Sequence, residues 1–342
     1  MSLRSYINKI ATGPELSKDL SREEAREAMT LILDGSADPV ETGVFLVALR
    51  MKRETDDENF GILDALKASL GESRKVDLDE LLVIGDPYNG FARYPVASAF
   101  LPAVLAALGI PCLIHGTKNM GPKYGLTHAK IYTKLGLQNS STIDDSEAEL
   151  LAKRWSYLDQ SIMSPALHAL KHVRDLIVKR PCLSTLEKFM SPYSARRNHM
   201  LVGYVHKDYE DLLIRIAKEY GYDSSLIVHG IEGGVMPTAS GKSSCVYDTG
   251  SSCTHIDYSL SLLGIDIPER YKPVSRKDQD NEQLLDDTVR LGIEALSGKE
   301  NYIYYSLISA ASLVHSCLRE TELIDSAKQV VALLKSQKIE IV

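Results

Sequence analysis

Short apolar runs separated by helical stretches recur from Leu82 onward, and this alternation constrains the fold more than any other feature of the chain. The runs long enough for a buried strand are Leu82 to Gly85, Pro111 to His115, Leu201 to Val205, Leu226 to His229 and, less clearly, Cys245 to Tyr247. Helical patterns such as Tyr209 to Tyr220 lie between them. Buried strands that alternate with helices predict an α/β domain with a mostly parallel central sheet.

The N-terminal part of the chain shows helical patterns alone. Ser21 and Glu24 have the spacing of a capping box, and Asp38-Pro39 supplies a cap followed by a proline at the first helical position. Another helix is predicted from the acidic residues 56–58 to about Gly71. We therefore predict a small α-helical domain over residues 1–72, joined by helices from about 164–190, and a larger α/β domain over residues 80–342, with a ligand cleft between them.

Composition narrows the classes of function. The 342 residues carry a net charge of −7, which disfavours polyanion binding by the whole surface but leaves a local basic face open. No apolar run approaches the roughly 18 residues of a membrane span, and the first 12 residues lack a leader pattern. The five cysteines are scattered and form no C-x-x-C pair, which disfavours disulfides and zinc. We expect a cytoplasmic protein with no membrane partner.

The loops that follow the predicted strands hold the candidate binding residues, because ligands of open α/β sheets bind at the carboxyl ends of the strands. In the first loop, residues 85–90, Gly85 permits close backbone approach, and Asp86 and Asn89 offer groups for hydroxyls or phosphate-bound cations. An ordinary turn explains the same residue types.

The second and third loops add charge. Residues 115–125 contain His115, Lys118 and Lys123 among three glycines, a composition suited either to cradling an anion or to a solvated surface loop. Residues 229–234 contain Glu232, a lone carboxylate that is weak evidence for a metal, and His229, which equally suits a core position.

One segment of this acidic chain is strongly basic. Between residues 171 and 197, seven lysines and arginines face two carboxylates, a balance of +5. Such a patch attracts phosphates or nucleic acid, although a solvated surface gives the same pattern. The nucleic-acid candidates are Lys171, Arg174, Lys179, Arg180, Arg196 and Arg197.

Several segments, in order along nearly the whole chain, resemble the anthranilate phosphoribosyltransferase family (family 3 glycosyltransferases). They are SREEAREAMTLILDGSADPVETGVFLVALRMKRET, ASAFLPAVLAALGIPCLIHGTK, SPALHALKHVRDLIVKRP, LVGYVHKDY and SLIVHGIEG. The resemblance implies a helical domain, an α/β domain, an active site in the cleft between them, and a homodimer formed through the helical domain.

Departures from the family pattern concern the handling of phosphate and metal. Residues 85–90 match the family's glycine-rich phosphoribosyl-pyrophosphate loop only loosely, and residues 93–96, beginning with Arg93, replace its Asn-x-Ser-Thr element. Ser164 stands in place of the anthranilate-side histidine, whereas Arg174 is retained. Val235-Met236 replaces the Asp-Glu pair that binds magnesium, so no cofactor is assigned and magnesium stays open.

The pattern is closer to a divergent branch with Asn-Gly-x-x-Arg at residues 89–93 and His-Gly-x-Glu-Gly at residues 229–233. Some members of that branch resemble nucleic-acid binders. Three functions therefore stay open: a pentosyltransferase with an altered substrate, a noncatalytic nucleotide or nucleic-acid binder, and an interaction protein. The expected partner is a phosphorylated sugar or nucleotide, with nucleic acid as the alternative.

Overall fold

The computed structural model describes residues 2–13, 15–137, 140–272, 275, 280–336 and 339–341. The N-terminal part is helical, as predicted, with α1 Leu3–Ile10, α2 Arg22–Leu33, α3 Pro39–Lys52 and α4 Asp56–Leu70. Both Ser21 and Thr55 form complete capping boxes, with Glu24 and Glu58. These reciprocal hydrogen bonds satisfy N–H groups that a helix start otherwise leaves open.

The α/β part contains the five strands that the alternation predicts, together with strands that it does not predict. Its strands are β1 Arg74–Lys75, β2 Glu80–Gly85, β3 Cys112–Gly116, β4 Trp155–Asp159, β5 Tyr193–Ser194, β6 Arg197–Tyr204, β7 Ser224–His229, β8 Ser243–Asp248 and β9 Cys253–Tyr258. Its helices are α5 Leu101–Ala107, α6 His128–Lys134, α7 Ile143–Lys153, α8 Gln160–Met163, α9 Pro165–Ala169, α10 Lys171–Ile177, α11 Leu183–Leu186, α12 Glu210–Tyr220, α13 Asn281–Leu296, α14 Tyr302–Arg319 and α15 Leu323–Lys335.

The central sheet is mostly parallel, which confirms the predicted fold class. Its order among the described residues is β4-β3-β2-β6-β7-β8-β9, and pairing is parallel from β4 to β7 and antiparallel from β7 to β9. β1 and β5 form a separate two-stranded parallel sheet. Within the described residues, no helix is long and apolar enough to cross a bilayer.

Two hydrophobic cores cover the two faces of the sheet. All six residues of β2 are buried, and alternate side chains point to opposite faces. Leu82 and Ile84 pack with α5, α14 and α15, whereas Leu81 and Val83 pack with the N-terminal helices and α12. Because both faces are covered, ligands reach the sheet at the edge where the parallel strands end.

The helices from the 164–190 region pack on the N-terminal helices. A Cβ atom at Gly43 of α3 would lie 3.2 Å from the Ile177 side chain of α10. The Arg50 guanidinium of α3 donates a hydrogen bond to the Arg180 carbonyl at 2.6 Å. These contacts are the ones expected if the two segments form one helical unit, and the domain limits stay a prediction.

Candidate functional site at the carboxyl edge of the sheet

The three predicted loops meet at the carboxyl ends of β2, β3 and β7. Phe91 and Leu126 form an antiparallel bridge, and the Gly125 N–H donates to the Asn89 carbonyl at 2.9 Å. The Val235 N–H donates to Asp86 Oδ1 at 2.7 Å. The first loop is therefore bonded directly to the second loop and to the residue that follows the third.

Asp86 holds the first loop in place. Its carboxylate is buried, and Oδ2 lies 3.1 Å from His128 Nε2. Burial opposes ionisation, but the hydrogen bond and charge of His128 outweigh it and keep the pKa of Asp86 below its usual range. Gly85 is required because a Cβ there would lie 2.7 Å from the Lys188 carbonyl.

Glu232 is bound by donors from the other two loops. Its Oε1 accepts from the Arg93 N–H at 2.9 Å, and its Oε2 accepts from the Ala92 N–H at 3.1 Å and from Lys123 Nζ at 2.5 Å. Its backbone has φ 54° and ψ 19°, a left-handed conformation that costs a non-glycine residue about 1–2 kcal/mol. The carboxylate thus lies in a cradle of N–H groups, which is an anion site and not a cation site.

A buried polar network lies beneath the second loop. The Arg174 guanidinium binds both carboxylate oxygens of Glu187, at 2.6 and 2.8 Å, and Gln160 Nε2 donates to the same carboxylate at 2.9 Å. The Tyr88 hydroxyl lies 2.5 Å from His115 Nδ1. Burial lowers the pKa of His115 to about 4, so its imidazole is neutral at pH 7.

Several side chains around this network keep a buried polar atom without a hydrogen-bond partner in the described part of the chain. These atoms are His115 Nε2, Thr117 Oγ1, Gln160 Oε1, Ser164 Oγ, His168 Nδ1 and Arg174 Nε. Gln160, Ser164 and His168 follow one another by i+4 backbone hydrogen bonds along α8 and α9. Buried polar atoms are normally paired, so such a group at the ligand edge of a sheet indicates a polar ligand.

Cations surround the same edge. Lys118 and Arg93 are exposed, whereas Lys123 is largely buried. Burial lowers the pKa of Lys123 against the opposing charge and hydrogen bond of Glu232, and the positive charges of Arg180 and Arg93 lower it further. Burial lowers the pKa of Lys130, and the positive charge of Lys118 lowers it further. This cationic rim, defined as Arg93, Lys118, Lys123, Lys130 and Arg180, can attract phosphate.

The six residues predicted as nucleic-acid candidates do not form a single basic patch on one surface. Arg174 is buried against Glu187, and Lys171 is paired with Asp175 at 2.5 Å. Lys179 and Arg180 are exposed beyond α10.

Arg196 and Arg197 lie at the opposite edge of the sheet. Arg196 is paired with Asp79 at 2.7 Å, and Arg197 lies 3.6 Å from Glu80, the first residue of β2. Because β6 pairs in parallel with all six residues of β2, beginning with Arg197 opposite Glu80, these arginines are roughly 20 Å from the ligand edge. Lys171 lies nearer the second loop, because its partner Asp175 also accepts a hydrogen bond from the Gly121 N–H at 3.1 Å. The basic segment therefore does not bring its cations to one surface.

The residues present do not fit the magnesium that the family resemblance implies. Mg²⁺ requires oxygen ligands, but Val235 and Met236 are apolar and buried. The nearby carboxylates are occupied, because Asp86 binds Val235 and His128, and Glu232 faces N–H donors. Among the described residues, no group of three or more His, Cys, Asp or Glu side chains is arranged to hold a metal ion.

Comparison with known proteins agrees with this fold. Residues 4–70 match the helical bundle domain of the glycosyl transferase family. An uncharacterized protein of Aquifex aeolicus is 26% identical over 92% of this chain and 93% of its own length. Anthranilate phosphoribosyltransferase of Rhizobium rhizogenes is 28% identical over 67% of this chain and 64% of its own length.

Solved structures extend the similarity to the whole fold. Anthranilate phosphoribosyltransferase of Thermus thermophilus superposes with a TM-score of 0.76 at 19% identity, covering 98% of this chain and 94% of the other. The Saccharomyces cerevisiae enzyme, in complex with PRPP and Mg, has the same TM-score and coverage at 14% identity. The chain therefore has the fold of the anthranilate phosphoribosyltransferases.

Some residues of this site escape prediction from the sequence. Gln160 directly follows β4, a strand that the sequence analysis does not predict, and recognising that strand would have made Gln160 a candidate. The local sequence around Glu187 does not mark it as a site residue, because its pairing with Arg174 depends on the path of the chain between α10 and α11. Lys130 lies inside a helix and is brought to the rim by the packing of α6.

Proposed function

We propose that this chain binds a phosphorylated sugar or nucleotide in its cleft and belongs to the pentosyltransferase class without carrying out magnesium-dependent transfer to anthranilate. The observation that carries the proposal is the set of unpartnered buried polar atoms at the ends of β3 and β4, where His115 and Thr117 belong to the same loop as Lys118 and Lys123. The buried atoms suit the hydroxyl and carbonyl groups of a sugar or base, and the rim suits a phosphate.

The donor side supports a phosphorylated ligand. The structurally similar anthranilate phosphoribosyltransferase from Saccharomyces cerevisiae was solved in complex with PRPP and Mg. In this chain the acidic magnesium pair is replaced by Val235-Met236, while Lys123 and Arg93 bring positive charge to the same loops. Fixed cations stabilise phosphate without a metal, although they do not reproduce the metal's polarisation of a leaving group.

The acceptor side argues against anthranilate. The arginine that the family resemblance assigns to anthranilate contact is Arg174, and here Glu187 neutralises it through two hydrogen bonds. Ser164 replaces the histidine on the same side. An acidic acceptor would have to compete with a buried carboxylate for Arg174, so we propose a neutral polar group as the acceptor-side ligand.

A noncatalytic nucleic-acid binder is the second candidate. Exposed Arg93, Lys118, Lys179 and Arg180 favour it, since a flexible phosphate backbone needs several accessible cations. Binding of this kind weakens steeply with salt, because counterions are released. Titration of single-stranded and double-stranded oligonucleotides at about 50 and 200 mM salt separates the two candidates. A nucleic-acid binder should bind at the lower salt concentration and lose most of its affinity at the higher one, whereas the small-ligand proposal predicts no oligonucleotide binding at either concentration.

A binding and transfer assay tests the small-ligand proposal. Phosphoribosyl pyrophosphate is titrated calorimetrically into the wild type, Lys118→Ala and the matched control Lys328→Ala, which removes an exposed lysine from α15. We expect saturable binding, weakened about tenfold in Lys118→Ala and unchanged in the control. No product should form with anthranilate. Equal binding by Lys118→Ala and the control, or rapid anthranilate transfer, would contradict the proposal.

The assembly and compartment follow the family expectation as proposals. α3 and α10 expose Val40, Val44, Met51, Leu176 and Val178, an apolar surface suited to a homodimer formed through the helical domain. The measurement is the mass in solution by light scattering, with a dimer expected for the wild type and dissociation for Met51→Lys. The five unpaired cysteines are compatible with a cytoplasmic location.

A further inference from the structure

The cradle around Glu232 is an anion-binding site that the chain fills with its own carboxylate. Three donors, the N–H groups of Ala92 and Arg93 and the Lys123 ammonium, converge on the two carboxylate oxygens. Ala92 and Glu232 lie 140 residues apart in the sequence, so the contact is made by the fold and is no local turn. Only 7% of the Glu232 side chain is exposed.

We propose that Glu232 is an internal competitor for phosphate, which keeps the cradle occupied until the phosphate group of a ligand displaces it. This inference rests on the proposed function, because it assigns the regulation of ligand binding at the same cleft. It makes Glu232 a residue that sets affinity and selects against weakly charged ligands.

Charge and geometry favour the exchange. A carboxylate brings one negative charge and two oxygens, whereas a phosphate monoester brings a charge of about −1.5 to −2 and three acceptor oxygens. Arg93 supplies one of the three donors through its N–H while its side chain stays exposed, and the exposed Arg180 adds a positive charge that lowers the pKa of Lys123. A phosphate therefore gains cationic neighbours that the carboxylate leaves unused.

The backbone around Glu232 is fixed, so displacement is a motion of the side chain. A Cβ on Gly203 of β6 would lie 1.8 Å from the Gly234 carbonyl, and a Cβ on Gly230 would lie 1.6 Å from the same oxygen. The approach of Gly234 to Gly203 fixes one end of the loop to β6, and the hydrogen bond from the Gly230 N–H to the Tyr204 carbonyl at 3.0 Å fixes the other. Rotation about the side-chain bonds of Glu232 is enough to open the cradle. The carboxylate can turn toward solvent on the side of Arg93, which is exposed.

Glu232→Gln tests the competition. The amide keeps the shape and one acceptor oxygen, but it loses the charge and turns an NH₂ group toward the cradle, where Lys123 is also a donor. We expect ribose 5-phosphate to bind Glu232→Gln about tenfold more tightly than the wild type, as charge-assisted hydrogen bonds to the competitor are lost. Glu72→Gln, which alters an exposed carboxylate after α4, is the matched control and should bind like the wild type.

A second readout identifies the site of binding. The backbone amide resonances of Ala92 and Arg93 should shift when ribose 5-phosphate is added to Glu232→Gln, and Lys123→Gln should weaken the binding. Tighter binding by Glu232→Gln together with these shifts supports the inference.

The other outcomes separate this inference from the proposed function. Equal or weaker binding by Glu232→Gln than by the wild type, or binding that leaves the two amides unmoved, overturns the role of Glu232 while the proposed function stands. Absence of binding by the wild type, Glu232→Gln and Glu232→Ala at millimolar ribose 5-phosphate overturns both.

Discussion

The buried pair of Arg174 and Glu187 gives a quantitative test of how the cleft is built. Both side chains are almost fully buried, and two hydrogen bonds of 2.6 and 2.8 Å join them. Gln160 and Ser184 add bonds of 2.9 and 3.2 Å to the pair. Removing one partner leaves an uncompensated buried charge, which costs about 3–5 kcal/mol.

Glu187→Gln is the direct perturbation. Since 1 kcal/mol corresponds to about 2 °C in a chain of this size, the melting temperature should fall by roughly 6–10 °C. The measurement is differential scanning calorimetry of the wild type, Glu187→Gln and the matched exposed change Asp325→Asn on α15, which should shift the melting temperature by less than about 2 °C.

The double substitution Arg174→Met with Glu187→Leu separates charge from packing. Replacing both partners of a buried ion pair with apolar side chains removes the uncompensated charge, so most of the stability should return. A drop below about 2 °C in Glu187→Gln would show that Arg174 finds water or another partner. The argument that Arg174 is unavailable to an acidic acceptor would then fail.

Three further predictions concern the sheet and the rim. Burial opposes ionisation of Glu80, but hydrogen bonds from His199 and Arg319 hold its pKa at about 2, so stability should fall as pH drops from about 4.3 toward 2, and Glu80→Gln should flatten that fall in acid-titration melting curves. Gly203→Ala should disrupt the third loop and lower the melting temperature by several degrees, because the added Cβ would lie 1.8 Å from a backbone oxygen. The control is Gly136→Asn: a Cβ there meets no neighbouring atom, and asparagine tolerates the φ of 80°, so the melting temperature should change little. Asp38→Ala removes the cap of α3 and should cost about 1 kcal/mol in urea unfolding, with the exposed change Asp266→Ala as the control.

The fold was predictable from local signals and from one topological rule. The capping residues Ser21 and Asp38 lie within four residues of the groups that they cap, so a short stretch of sequence is enough to mark each helix start. The structure forms both caps. The buried runs predict β2, β3, β6, β7 and β8. β4 and β9 gave no such signal, since β9 is an exposed polar edge strand and β4 mixes polar with aromatic residues.

The site was predictable only in part. The rule that ligands bind where parallel strands end brings Asp86, Lys123 and Glu232 together correctly. The roles within that group come from contacts between residues far apart in the chain, such as the one between Glu232 and Ala92, and local patterns do not encode them. Counting charge along the 171–197 segment likewise could not show that Arg196 and Arg197 lie at the other edge of the sheet, because proximity in sequence does not give proximity across a sheet.

The central claim is that fixed cations, and not a metal, hold phosphate in this cleft. Titration calorimetry with phosphoribosyl pyrophosphate in magnesium and again in EDTA tests it most directly. The account predicts saturable binding with dissociation constants that agree within about threefold, a difference under 1 kcal/mol. Binding that appears only with magnesium, or no binding under either condition, would contradict it.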